Sequence, residues 1–279
     1  VNLYETFCNA LQEGQRMAPN WQLQQLAPTV KKIEMYADLE PLLFREFASN
    51  LMEIVCKANF AISSELTEKF VQLFGEAHFA LECKKRGIHL QKIPEQKIKT
   101  PDFELANNAC NFRFEVKTLS VVNGKFGISS NLENALEAKI SLESQLKSGK
   151  RIAMAESEVS AYGHKPVKDN QSTTVIETLL DKARQNIKAG QFEGGPTFLV
   201  LNLCMFTLNS NHQEVLRPVY WADYPFPTPV SGDLWMLAFG KPGMLVFGRP
   251  EFEGKSSIEG TFQKRGILSD PDFEGVAGI

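Results

Sequence analysis

The run from Lys99 to Val122, KTPDFELANNACNFRFEVKTLSVV, constrains the fold more than any other part of the chain. Phe112, Phe114 and Val116 alternate there with Arg113, Glu115 and Lys117. That is the two-residue period of a β-strand whose apolar set is buried and whose polar set is presented. At the usual rise per residue, Glu115 and Lys117 stand about 6–7 Å apart on one strand face, close enough to share a substrate. Asn107 and Asn108 supply turn chemistry, so the segment from Phe103 to Ala106 is expected to fold back antiparallel and bring Asp102 beside Glu115. Two carboxylates and a lysine would then converge.

Paired carboxylates repel unless a cation lies between them, and hard oxygen ligands suit Mg²⁺ or Mn²⁺. Such an ion polarises a phosphoryl oxygen and acidifies a bound water, while a neighbouring lysine orients that water or offsets transition-state charge. Pro101-Asp102 followed by Glu115-Val116-Lys117 resembles the PD-(D/E)xK signature of the restriction-endonuclease-like nuclease superfamily. Other Glu-x-Lys triplets begin at Glu82, Glu95, Glu137 and Glu253, and Pro271-Asp272 repeats the Pro-Asp pair near the C-terminus, where Asp270 reads as a helix cap. Only the pairing of Asp102 with Glu115 and Lys117 combines order, spacing and strand pattern.

The resemblance covers Glu65 to Phe206 and implies an α/β fold: a restriction-endonuclease-like core of order αβββαβ, with a mixed sheet flanked by helices. It implies that Asp102 and Glu115 bind Mg²⁺ or Mn²⁺ with the Val116 carbonyl, that Glu76 assists, and that Lys117 positions the nucleophile. The implied reaction is hydrolysis of a phosphodiester by in-line attack of water. Nucleic acid, DNA first, is then the partner, with no membrane; a homodimer stays open. The helix after the third strand often bears a basic or amide residue near the site in this family, for which Lys182, Arg184 and Gln185 are candidates. Two rival readings remain: a catalytically silent nucleic-acid-binding or assembly subunit of the same fold, and an ordinary hairpin in which Asp102 points elsewhere and Glu115 and Lys117 form a surface ion pair of little worth.

The rest of the chain is read around that core. Its 279 residues can bury a large core. A net charge of −3 and a pI near 5.9 exclude a global nucleic-acid footprint. Five cysteines without a CxxC fit a reducing cytoplasm. The longest apolar run, Phe198 to Phe206, is half a membrane span. Residues 1–62 read as a helical cap broken near Pro19, Pro28 and Pro41, residues 63–209 as the nuclease-like core, and residues 210–279 as a C-terminal β extension. Within the core, Ser64 is expected to cap a helix to Arg86 whose stripe is Leu66, Phe70, Leu73, Ala77, Ala80 and Leu81, with Glu76 on its border. His78 reads as a surface or interface residue, having no partner histidine one turn on. From Lys84 to Lys99 six basic residues face one acid, a phosphate track or a solvated run. Residues 123–173 form an insertion, with a capping box at Ser130 and Glu133; it would serve as a lid whose Lys147, Lys150, Arg151, Lys165 and Lys168 meet phosphates, or as a dimerisation arm. A second capping box at Thr174 and Glu177 opens another helix, followed by a buried strand at Thr197–Phe206. Asp233–Phe239 and Met244–Phe247 are expected to form a hairpin about the Lys241-Pro242-Gly243 turn. Tyr220, Trp221, Tyr224 and Phe226, set among prolines, read as loop packing rather than base stacking.

Overall fold

Helical periodicity in the first sixty residues becomes four helices, α1 (Leu3–Gln15), α2 (Trp21–Gln24), α3 (Ala27–Leu39) and α4 (Pro41–Val55). The computed structural model describes residues 2–15, 21–94, 100–105, 111–119, 128–156, 172–202, 219–220, 229–230, 233–247 and 258–279. Pro28 and Pro41 sit in the first turns of α3 and α4, where a missing N–H costs nothing; Pro19 lies outside the described residues. Helix α5 (Ser64–Lys85) is capped one residue earlier than its sequence suggests: the Ser63 hydroxyl accepts the Leu66 N–H at 3.3 Å. It ends on Lys84 and Lys85, with Gly87 at φ 74°.

Three short strands follow, β1 (Leu90–Lys92), β2 (Phe103–Leu105) and β3 (Arg113–Thr118), then α6 (Ile128–Lys147), α7 (Ser172–Asn186) and β4 (Thr197–Asn202). Ser130 and Thr174 thus fall inside helices that start a turn or less before them. The strand at Thr197 is described to Asn202, and residues 203–206 lie outside the described residues. The C-terminal part adds β5 (Val219–Tyr220), β6 (Pro229–Val230), α8 (Asp233–Phe239), β7 (Leu245–Phe247), β8 (Ile258–Thr261) and β9 (Val276–Gly278). The main sheet is mixed, in the order β1-β2-β3-β4-β9: β2 runs antiparallel to both neighbours, while β3, β4 and β9 are parallel. Strands β5 to β8 form a second sheet. The chain is therefore α/β, with a five-stranded mixed sheet between helical layers.

Alternation along β3 decides which layer each side chain meets. Phe114 and Val116 face the cluster built by α1, α3, α4 and α5, where Phe79 lies 5.3 Å from Phe114 and Phe47 lies 6.2 Å from Phe103. Leu119, with Leu199 of β4, faces the other cluster, which holds Leu180 and Ala183 of α7, Met236 of α8, Phe262, Ile267 and Val276. The N-terminal helices share one apolar cluster with Phe103 and Val116, so packing runs unbroken across residue 62. On α6, Leu136, Ile140 and Leu146 are exposed.

The C-terminal hairpin is corrected. Asp233–Phe239 is the helix α8, closed by the Gly240 N–H to Met236 carbonyl bond at 3.0 Å. A seven-residue apolar run does not distinguish strand from helix by period alone, and here Met236, Leu237 and Ala238 are all buried, while Trp235 packs its ring 4.6 Å from that of Phe239 one turn on. The turn itself is as expected: Met244 N–H donates to the Lys241 carbonyl at 3.1 Å, with Gly243 at φ 89°. Asp270 caps a single 3₁₀ turn, Pro271–Phe273, by accepting the Asp272 N–H. Among the described residues no helix is long and apolar enough to cross a membrane.

Gly75 sets how closely α5 lies on the sheet, because a Cβ there would overlap the Thr118 hydroxyl and the Asn202 side chain. Gly75→Ala should lower stability by about 1–3 kcal/mol through overpacking, although alanine favours an isolated helix by about 1 kcal/mol. A urea midpoint that rises in the variant would contradict this close approach.

Candidate functional site

Pairing of Phe103 with Phe114 leaves Asp102 opposite Glu115 at the point where β2 stops and β3 continues. Asp102 donates its N–H to the Phe114 carbonyl at 3.0 Å, and its carboxylate Oδ2 accepts the Val116 N–H at 2.7 Å. The side chain thereby occupies a place that a main-chain acceptor would fill in a longer hairpin. Within a strand the N–H and C=O of one residue point to the same edge, so the Val116 carbonyl also projects toward Asp102.

Glu115 is 1% exposed. Its Oε1 accepts a hydrogen bond from Gln191 Nε2 at 2.5 Å and makes an ion pair with the Lys117 ammonium, one turn of the pleat further along the same face. Gln191 belongs to a 3₁₀ turn, Ala189–Phe192, and its own carbonyl oxygen accepts the Lys188 N–H at 3.0 Å. Both ends of this buried amide are therefore committed, which orients its NH₂ toward Glu115.

Asp102, Glu115, Val116, Lys117 and Glu76 all line one cavity of about 490 Å³. Glu76 enters from α5, carried in by the close seat of Gly75 on the ends of β3 and β4. Lys92 at the end of β1, Asn186 at the end of α7, and Gln191 complete much of the wall. Among the described residues the charged lining is three carboxylates (76, 102, 115) and two ammoniums (92, 117). Asp102, Glu115 and Val116 put oxygen donors on the wall of one cavity, the chemistry that suits a hard divalent cation retaining several waters. Glu76 contacts Lys92 at 3.8 Å instead, and among the described residues no three His, Cys, Asp or Glu side chains are grouped to hold a metal. The donors that the described lining offers a cation are thus two carboxylates and one carbonyl.

Lys182, Arg184 and Gln185 do not line this cavity. Arg184 instead clamps the C-terminal segment, bonding the Arg265 carbonyl at 2.7 Å and the Asp270 carboxylate at 2.6 Å, with the Phe273 ring 5.9 Å away. Burial pushes the Lys182 ammonium below its ordinary value, with Glu68 acting in the opposite sense. The basic run is also largely committed: Lys84 pairs with Glu40, and Lys85 and Arg86 pair with Glu82, while Lys97 and Lys99 lie outside the described residues. Lys147, Lys150 and Arg151 are exposed and away from the cavity; Lys165 and Lys168 lie outside the described residues, as do Trp221, Tyr224 and Phe226. Lys92, Asn186 and Gln191 carried no sequence signal of their own beyond Lys92 falling in that basic run.

Comparison of the chain with family models, with curated proteins and with solved structures gives no match.

Gln191→Leu should cost about 1–3 kcal/mol in urea unfolding, since it removes a donor from a buried carboxylate. In a Glu115→Leu background the same change should cost much less, and equal costs in the two backgrounds would show that the pair is not coupled. His78 is partly buried, 5.6 Å from the Phe74 ring and 3.9 Å from Glu82, and does not line the cavity. Burial lowers its pKa from 6.5, a shift that the Glu82 charge opposes. Because the folded value is depressed, His78 contributes stability above the unfolded pKa that is lost as pH falls through the folded one. His78→Phe should therefore flatten the decline of Tm between about pH 7 and 5, and an unchanged pH profile would count against this.

Proposed function

We propose that the protein is a divalent-cation-dependent nuclease of the PD-(D/E)xK, restriction-endonuclease-like class that hydrolyses phosphodiester bonds in DNA. The observation that carries this is the convergence of Asp102, Glu115 and Lys117 on one cavity, with Glu115 almost wholly buried. A buried acid set beside a second acid is costly to the fold and gains its use from a cation. The ordinary-hairpin reading requires Asp102 to point away, whereas its carboxylate sits on the Val116 N–H opposite Glu115. The order of α5, β1, β2, β3, α7 and β4, with β3 and β4 parallel, supports the same class.

In this reading a bound Mg²⁺ or Mn²⁺ supplies Lewis acidity toward a phosphoryl oxygen and an acidified water. Asp102, fixed by the Val116 N–H, and Glu115, fixed by Gln191, hold their oxygens in place before substrate arrives. Lys117 has its ammonium on Glu115, on the same strand face, and from there orients the attacking water and offsets charge on the phosphoryl group. The cavity wall is mostly polar, so the scissile phosphate meets fixed dipoles there. Free thiols at Cys8, Cys56 and Cys83 are compatible with a reducing, cytoplasmic setting.

Plasmid and oligonucleotide substrates incubated in Mg²⁺, Mn²⁺ or EDTA test the proposal. Cleavage should require the cation, and Asp102→Ala and Lys117→Ala should each lower the rate by on the order of a hundredfold or more. Equal cutting by the wild type and Asp102→Ala would assign activity to a contaminant. Nucleic-acid affinity indifferent to divalent ions, without cutting, would identify a binding subunit instead.

A further inference from the structure

Lys92 is the one ammonium among the described cavity residues to which the roles of Asp102, Glu115 and Lys117 give no task. It ends β1 against α4 and α5, with Nζ 3.2 Å from Glu46 Oε1, 3.8 Å from Glu76 Oε2 and 4.9 Å from the centre of the Phe47 ring. These partners differ in kind. At 3.2 Å Glu46 accepts a hydrogen bond, whereas 3.8 Å to Glu76 is charge attraction without one. The Phe47 ring attracts the ammonium whichever acid it faces.

We infer that Lys92 is a transferable counter-ion for Glu76, with Glu46 and the Phe47 ring as the seat to which its charge moves when a divalent cation enters beside Asp102 and Glu115. The inference rests on the cation-dependent reading above. A divalent cation repels the ammonium and attracts Glu76, so both forces act to part them. What opposes parting is the cost of leaving the ammonium, whose side chain is only 27% exposed, without a carboxylate. Glu46 removes that cost because it already holds Lys92, and it stands half-exposed on α4. The N-terminal helices would then do more than cover the sheet, since one of them sets how freely Glu76 can turn to a cation. Lys92 and Glu46 are positioning residues in this scheme and touch no reacting atom.

Mn²⁺ titration of the full chain by calorimetry, with the Mn²⁺-induced rise in Tm as a second readout, tests this without reference to cleavage. Glu46→Gln should weaken Mn²⁺ binding about fivefold, the scale of one partly exposed ion pair. Lys92→Gln should bind at least as tightly as the wild type, and Glu46→Gln combined with Lys92→Gln should regain the wild-type affinity. A structural role alone would lower the Tm of the metal-free variants without that order of affinities. Wild-type affinity in Glu46→Gln, with binding abolished by Asp102→Asn, would overturn the counter-ion transfer and leave the cation site standing. No Mn²⁺ binding by the wild type would overturn the cation reading and the transfer with it.

Discussion

The Val116 N–H, donated to the Asp102 carboxylate at 2.7 Å, is the contact on which the cavity depends. Strand β2 is only three residues long, so β3 would otherwise present an unpaired main-chain donor at that edge. Asp102 satisfies it with a side chain. The substitution does two things at once: it ends the hairpin ladder without a buried orphan, and it places a carboxylate opposite Glu115 rather than in solvent.

Charge balance then dictates how the neighbouring elements pack. Glu115 is 1% exposed, and the Lys117 ammonium and the Gln191 amide, drawn from different elements, meet its carboxylate there. Glu76 and Glu46 share a second ammonium, Lys92, between α4 and α5. The two lysines divide the cavity into a side governed by the strands and a side governed by the helices. On the proposed reading, the first side holds the ion and the second regulates access of a third carboxylate.

Legibility from sequence followed the range of the interaction. The period-two pattern of Phe112–Lys117 is local, and the antiparallel fold-back expected from it sets Asp102 opposite Glu115, while the turn expected at Asn107-Asn108 lies outside the described residues. The stripe and border of α5 are local as well, and they placed Glu76 at the cavity. One part of that pattern was misjudged: both faces of β3 are covered, so Glu115 is buried rather than presented, because α7 and the second apolar cluster pack where alternation alone suggests solvent. Gln191 was not legible, since its task joins positions 76 residues apart and its type is common on surfaces. Lys92 was hidden within a basic run whose other described members, Lys84, Lys85 and Arg86, pair with Glu40 and Glu82. The strand expected at Asp233–Phe239 failed for a different reason: a short run of large apolar residues satisfies either period, and only its neighbours Leu180 and Phe262 decide.

Strand β3 meets one apolar cluster through Val116, under α4 and α5, and Leu119, the residue after the strand, meets the other under α7 and α8. Glu115 and Lys117 flank Val116. Glu76 belongs to the first layer, Lys92 to strand β1 of the sheet, and Gln191, next to the buried Phe192, to the second layer. Sliding either helical layer over the sheet would therefore lengthen that layer's own contact, Glu76–Lys92 for one and Gln191–Glu115 for the other, while the Asp102–Val116 bond, which lies within the sheet, would be spared. The carboxylate pair is thus set by backbone pairing, and its surroundings are set by side-chain packing. Core substitutions remote from the cavity should consequently disturb the donors around Glu115 and Glu76 before they disturb the pairing of Asp102 with β3.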